Sequence, residues 1–156
     1  MDAARPATAD DVPAIAELAA ELRAELTPMR GGHVWSRREA RAEHGRVAYR
    51  ALLDDPNTLV IVGTIDGVVV GYGVCEVETL RDRSLIGTIP ELFVTEQARA
   101  VGVGEQILDT LVSECRALGC AGIDTLALPG HRAAKNFFEG AGFTARAIVM
   151  HRALEP

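Results

Sequence analysis

The chain has 156 residues, close to the roughly 150 of an average domain, and at that size folding hides about 70% of the surface the unfolded chain exposes. Hydrophobic residues make up 48% and charged residues 24%, which excludes a disordered chain, and no apolar run approaches the ~18 residues of a membrane span. Sixteen basic against 22 acidic residues leave a formal charge of −6, which speaks against a nucleic-acid or anionic-membrane surface and mildly favours cationic substrates.

Residues 1–11 carry acids and Pro6 where a secretory leader would be apolar, so the sequence predicts a cytoplasmic protein. Cys75, Cys115 and Cys120 are odd in number and lack metal-type spacing, which predicts buried thiols rather than disulfides or a metal site. No internal repeat or linker is visible, so residues 1–156 read as a single domain.

Thr8 and Asp10 are capping residues ahead of Val12, Ile15, Leu18, Ala19 and Leu22, whose spacing predicts a helix with Pro13 in its first turn. Pro28 and Gly31-Gly32 end it. A polar stretch with His33 and Trp35 leads into a second, weaker helix over about 37–53, closed by Asp54-Asp55-Pro56-Asn57. The period then changes to that of strands. Leu59–Val62 and Val68–Val70 flank Asp66-Gly67, a pair suited to a type I′ hairpin. The second strand continues through Tyr72, Val74 and Val77, with Gly71 and Gly73 marking a bend or bulge. After a turn at 81–84, the chain returns through Leu85, Ile86, Ile89, Leu92, Phe93 and Val94. Pro90 cannot donate to a ladder, so this strand should be bulged or unpaired there.

A long helix is predicted over about 102–118, with Val103, Ile107, Leu108, Leu111, Val112 and Cys115 inside and Gly119 as its stop. A strand over 123–128, a short helix over 132–139 and a terminal strand over 143–152 follow. The order predicts an α/β (α+β) fold with a mixed central sheet and helices on both faces.

The chemistry concentrates after Leu92-Phe93-Val94, where a short loop leads to Arg99-Ala100-Val101-Gly102-Val103-Gly104. Backbone N–H groups at a helix start lack partners and carry about half a positive charge. Glycines let an anion approach them, and Arg99 can add charge-assisted hydrogen bonds. A dinucleotide fingerprint would need a third glycine where Ile107 stands, and a Walker loop would need Lys where Glu105 stands.

The pattern Arg99, Gly102, Gly104 after an apolar strand resembles the pyrophosphate-binding motif of the GNAT superfamily, the acyl-CoA-dependent N-acyltransferases. Ala134 to Phe143, with Phe137-Phe138-Glu139 and Gly142-Phe143, is similar to that superfamily's later helix and turn. Arg5-Pro6-Ala7-Thr8 and the Asp66-Gly67 hairpin also stand in the matching order. The resemblance implies a sheet splayed between the strand ending at Val94 and the strand through Leu126, with the pantetheine arm of acetyl-CoA between them. It implies cofactor contacts at Leu92, Phe93, Val94, Arg99, Ala100, Val101, Gly102, Val103 and Gly104, and at His131, Asn136 and Phe138 beside the later helix.

Two positions depart from the superfamily's pattern. Its frequent tyrosine, which protonates the leaving thiolate, falls on Phe138, and an asparagine before the helix falls on His131. Losing a general acid typically costs a factor of about 10²–10⁴. A thiol of pKa about 8.5 still leaves as its anion, and Tyr72, Tyr49, Cys75 or a water are the alternative proton sources. An alkyl amine of pKa about 10.4 is neutral about once in 2,500 molecules at pH 7, so a group must bind the ammonium and accept its proton. Glu91 is the candidate base or amine binder, and His33 and Trp35 lie in the variable segment that shapes an acceptor pocket. Lys135 reads as a solvated helix residue.

The implied activity is acetyl transfer from acetyl-CoA to the amine of a small-molecule or peptide acceptor by direct attack, with no metal, nucleic acid or membrane as partner. The alternative, raised by Phe138, is a CoA-binding sensor with weak or no turnover. Homodimers are common among similar proteins, and no feature of the sequence decides for or against one.

Overall fold

A computed structural model describes residues 3–156. Its core is a five-stranded sheet in the order β1 (Ala3–Pro6), β2 (Thr58–Ile65), β3 (Val68–Thr79), β4 (Leu85–Val94), β5 (Cys120–Thr125). Neighbours are antiparallel except β4 and β5, which run parallel. The helices are α1 (Val12–Leu26), α2 (Gly32–Arg37), α3 (Arg46–Asp54), α4 (Val103–Ala117) and α5 (Arg132–Gly140).

Strand alternation sorts the core onto two faces. Val60, Val62, Tyr72, Val74 and Phe93 meet Ile15, Leu18 and Leu22 of α1, together with Trp35 and Tyr49. Ile61, Cys75, Ile89 and Val94 meet Ile107, Leu108 and Leu111 of α4 and Phe138 of α5. The mixed sheet with helices on both faces agrees with the sequence reading. Glycines on β2 and β3 bring α4 close: a Cβ at Gly63 would come within 2.5 Å of Val103, and one at Gly73 within 2.8 Å of Ile107.

The Asp66-Gly67 turn has φ of 51° and 79°, as a type I′ hairpin requires. A capping box opens the 3₁₀ turn (Ala9–Asp11) that leads into α1. The Thr8 N–H donates to Asp11 at 2.8 Å, and Arg5 donates to both Asp11 oxygens at 2.7 and 3.0 Å. Asp11, rather than Asp10, is therefore the acidic capping residue.

Three predicted elements differ. The helix expected over 37–53 is instead α2 and α3, separated by an irregular segment at 38–45 whose charged residues supply no apolar stripe. β5 begins three residues earlier than expected, directly after the turn at Gly119 (φ 84°). Its continuation leaves the sheet so that Leu128 can bury against the α1 face. The terminal strand over 143–152 does not form: among the described residues the last backbone hydrogen bond runs from Phe143 N–H to the Phe138 carbonyl.

Pro90 acts as expected. Val74 pairs with Glu91 but Glu76 pairs with Thr88, so Cys75 alone spans Ile89 and Pro90 in a bulge. The β4–β5 ladder also ends there, at Ile89 and Thr125. Beyond it the two strands part.

Candidate functional site

Where β4 leaves β5, the chain passes through a 3₁₀ turn (Glu96–Ala98) into α4. Ala100 and Gly102 both take left-handed backbone conformations, φ 68° and 91°. For alanine that conformation costs on the order of 1 kcal/mol, a strain that marks this loop. Among the described residues, none of the N–H groups of 100–105 has a protein acceptor; the first bond of α4 runs from Gln106 to the Gly102 carbonyl. No heavy atom lies within 4 Å of where a Cβ at Gly102 would stand, so the side of the loop that this Cβ would occupy is open. Gly104 does a different job: its Cβ would press on the Phe137 ring at 3.3 Å. These donors at the positive end of a 15-residue helix make an anion cradle.

Arg99 is tied at the rim rather than left loose. Its Nε donates to the Val94 carbonyl at 2.8 Å, its guanidinium pairs with Glu25 of α1 at 3.0 Å, and it lies 5.1 Å from the Phe93 ring centre. The Val94 carbonyl is thereby occupied. His131, which precedes α5, belongs to the same corner. The loop around Gly130 packs so tightly on Arg30 that a Cβ at Gly130 would stand 2.7 Å from the Arg30 nitrogen. Burial lowers the His131 pKa; the Arg99 charge adds to this and Glu25 opposes it. His131 is thus mostly neutral at pH 7, half-buried and beside the cradle.

On the α1 side of the splay lies Glu91, with only 7% of its surface exposed. Every hydrogen-bonding direction of its carboxylate is engaged. Oε1 accepts the hydroxyls of Tyr49 and of Tyr72, the latter at 2.8 Å. Oε2 accepts Nε and Nη2 of Arg41 at 2.9 and 2.7 Å. Burial, then the Glu91 charge, pushes both phenols above their ordinary pKa, so they remain donors. Burial works against the Arg41 charge, but Glu91 and then Glu76 outweigh it and raise its pKa. Arg41 also bonds Glu76 at 3.1 Å, and its carbonyl accepts from Arg23 of α1.

A recess opens beside this cluster, lined by Trp35, Arg41, Tyr49, Pro90 and Glu91, with Leu22 and Arg23 of α1 behind. Trp35 and Glu91 are thus brought together. His33 is exposed and does not line the recess; its carbonyl accepts from Ser36 and Arg37. Phe138 is 8% exposed and packs edge-on with Phe137 and Phe143. Asn136 is exposed on α5, and Lys135 pairs with Glu139 one turn on at 3.0 Å. Cys75 is buried with its sulfur 3.4 Å from that of Cys115. Sequence reasoning missed Arg41 and Glu25. Both reach the site across the fold, from 50 and 74 residues away in the chain, and no local pattern signals such pairs.

Among the described residues no group of three or more His, Cys, Asp or Glu is placed to hold a metal ion. No helix among them is long and apolar enough to cross a membrane.

Comparison with known proteins places this geometry. The acetyltransferase (GNAT) family model matches residues 19–143, and the chain belongs to that family. None of the curated proteins matches the sequence. Among solved structures, a tetramutant of the BH1408 protein of Bacillus halodurans superposes with a TM-score of 0.82 at 20% identity, covering 97% of this chain and 99% of that one. The glucosamine-6-phosphate N-acetyltransferase of Arabidopsis thaliana gives 0.71 at 18% identity, covering 99% of each chain. An aminoglycoside acetyltransferase from an uncultured soil metagenomic sample, bound to sisomicin, gives 0.74 at 16% identity, covering 99% of this chain and 96% of that one. At these identities the likeness is one of fold.

Proposed function

We propose, from membership of the GNAT family, that the chain is a cytoplasmic N-acetyltransferase that moves an acetyl group from acetyl-CoA to the amine of a small-molecule or peptide acceptor by direct attack. The observation that carries this reading is the run of acceptor-free N–H groups over 100–105, opening beside the unpaired edge of β4 beyond Ile89. A diphosphate fits such a cradle, because its oxygens satisfy several N–H groups at once against the helix dipole. Acetyl-CoA supplies the acyl thioester when bound.

The chain's own residues then take the following parts. The backbone of Ala100 to Gly104 holds the diphosphate, with Arg99 and His131 beside it and Asn136 and Phe138 along α5. The free edge of Leu92 and Phe93 orients an extended arm as a neighbouring strand would. Glu91 is the group that binds the acceptor ammonium or takes its proton. With both oxygens already engaged, it does so by exchanging a partner, and Arg41, with 20% of its side chain exposed, is the most accessible one. Phe138 has no proton to give, so the thiolate would leave as an anion or take its proton from water.

Phe138 and the saturated Glu91 favour one second reading, a domain that binds CoA as a sensor with little or no turnover. Incubation with acetyl-CoA and a broad panel of amines, read by thiol release, separates the two. Release that depends on an amine supports the enzyme. Tight CoA binding without release for any amine would overturn it in favour of the sensor.

A further inference from the structure

The recess beside Glu91 carries more positive charge than an amine would call for. Arg23 of α1 and Arg41 both line it. Arg23 is half-buried and turns to main-chain carbonyls: Nη1 donates to Ser36 at 3.4 Å and Nη2 to Arg41. Among the described residues no carboxylate pairs with it. It is a guanidinium held at a recess with its charge unmatched, ready for an anion.

The neighbouring charges show where the opposite excess lies. Glu39, also in the lining, stands 4.0 Å from Arg38, while Glu91 and Glu76 share the single guanidinium of Arg41. Three guanidiniums thus face three carboxylates, with the negative excess at Glu91 and Glu76 and the positive at Arg23. A simple amine that took the place of Arg41 at Glu91 would add a cation between two guanidiniums and give neither a partner. An amine that also carries a carboxylate supplies both exchanges at once.

We propose that the acceptor is an α-amino acid with an apolar side chain, its ammonium on Glu91 and its carboxylate between Arg41 and Arg23. This rests on the reading of Glu91 as the group that receives the acceptor's amine. A phosphate would bring about −1.5 to −2 charges and leave the set unbalanced. The recess offers about 310 Å³, solvent at its opening included, near the lower end of the ~300–1,000 Å³ of small-molecule sites. Trp35 and Pro90 give the side chain apolar surface. The net charge of −6, which favours cations, acts mostly from beyond the ~8 Å reach of unscreened charge.

Three matched pairs test this: alanine and ethylamine, leucine and 3-methylbutylamine, phenylalanine and phenethylamine. Each amine is its amino acid without the carboxyl group. Thermal shift with CoA present reads binding whether or not an acetyl group moves, and thiol release from acetyl-CoA reads transfer. Each amino acid should half-saturate the native chain at a concentration at least about tenfold below that of its amine, as a hydrogen-bonded charge implies. Arg23→Gln removes the charge and keeps a side-chain N–H donor. It should weaken amino-acid binding at least about fivefold and move the amines by less than about twofold. Should that variant fail to fold, the pairs on the native chain decide alone. Equal or reversed preference within the pairs would overturn the proposal, and thiol release in the same assay would leave the acetyltransferase reading standing. Preferred binding of the amino acids without release from any compound would uphold the carboxylate site and overturn the enzyme. No shift by any of these compounds, or a folded Arg23→Gln variant with the native preference, would overturn the proposal.

Discussion

The Arg41 guanidinium lies 2.7 Å from the Glu91 carboxylate, and the same oxygen accepts a second bond from Arg41 Nε at 2.9 Å. The pair joins an irregular segment to the middle of β4, at the residue next to the bulge where the sheet splays. Glu91 is therefore both a candidate for chemistry and the hub that fixes the α1 side of the splay. Any test of its catalytic part must also read its structural part.

Removing one donor from this hub should cost what a hydrogen bond to a buried charge costs, about 1.5–3 kcal/mol. Tyr72→Phe and Tyr49→Phe should each lower unfolding stability in urea by that order. The two donors share Oε1, and only the double variant leaves that oxygen without a donor, so it should lose more than the sum by about 0.5 kcal/mol or more. Strict additivity would show that the hydroxyls do not share one oxygen.

Glu91→Gln should be more severe, because it leaves the Arg41 charge in a part-buried place with only Glu76 opposite. A loss of about 3 kcal/mol is expected, with acetyl transfer depressed at every pH where the variant remains folded. A variant of wild-type stability would contradict the placement of Arg41.

The Arg5–Asp11 pair predicts a specific acid response. The Arg5 hydrogen bond lowers the Asp11 pKa, burial opposes it, and the Thr8 N–H lowers it further. A depressed native pKa contributes stability that is complete above the unfolded value of about 3.9 and is lost as pH falls through the native value. Arg5 is 43% exposed, so solvent screening trims the pair, and the cap accounts for much of its worth. Asp11→Asn should cost about 1–2 kcal/mol at pH 7, and the gap from the native chain should narrow below about pH 4 in urea titrations. A gap that widens on acidification would reverse the sign and refute the assignment.

Much of this arrangement can be read along the chain, and the part that cannot has a common cause. The Asp66-Gly67 hairpin, the Pro90 bulge and the Gly102 helix start each depend on residues within a few positions of one another. Local conformational rules reach them. The Glu91 hub needs residues 41, 49 and 72 together, and nothing in the period of 37–53 distinguishes the irregular segment that delivers Arg41 from a weak helix. The segment over 143–152 has strand character but lacks a ladder, because a strand is completed by its neighbour and not by its own composition.

The cysteines should divide by access. Burial raises the Cys75 thiol pKa, and burial with the neighbouring Cys75 raises that of Cys115 further. Both side chains are buried, whereas Cys120 is half-exposed at the start of β5. Iodoacetamide should modify Cys120 first in the native chain and reach the other two only on unfolding, as peptide mass mapping would show. Early labelling of Cys115 would mean that α4 is not packed on β3 as described.

The most direct test is calorimetric titration of the native chain and of Gly102→Asp with CoA. Aspartate tolerates the left-handed backbone at this position and suits a helix start, so the variant should stay folded by circular dichroism. Its carboxylate would put a negative charge beside the N–H groups of the cradle, where it repels a diphosphate. The account predicts one CoA bound per native chain and an affinity at least about tenfold lower in the folded variant. No binding to the native chain, or equal binding to both, would contradict it.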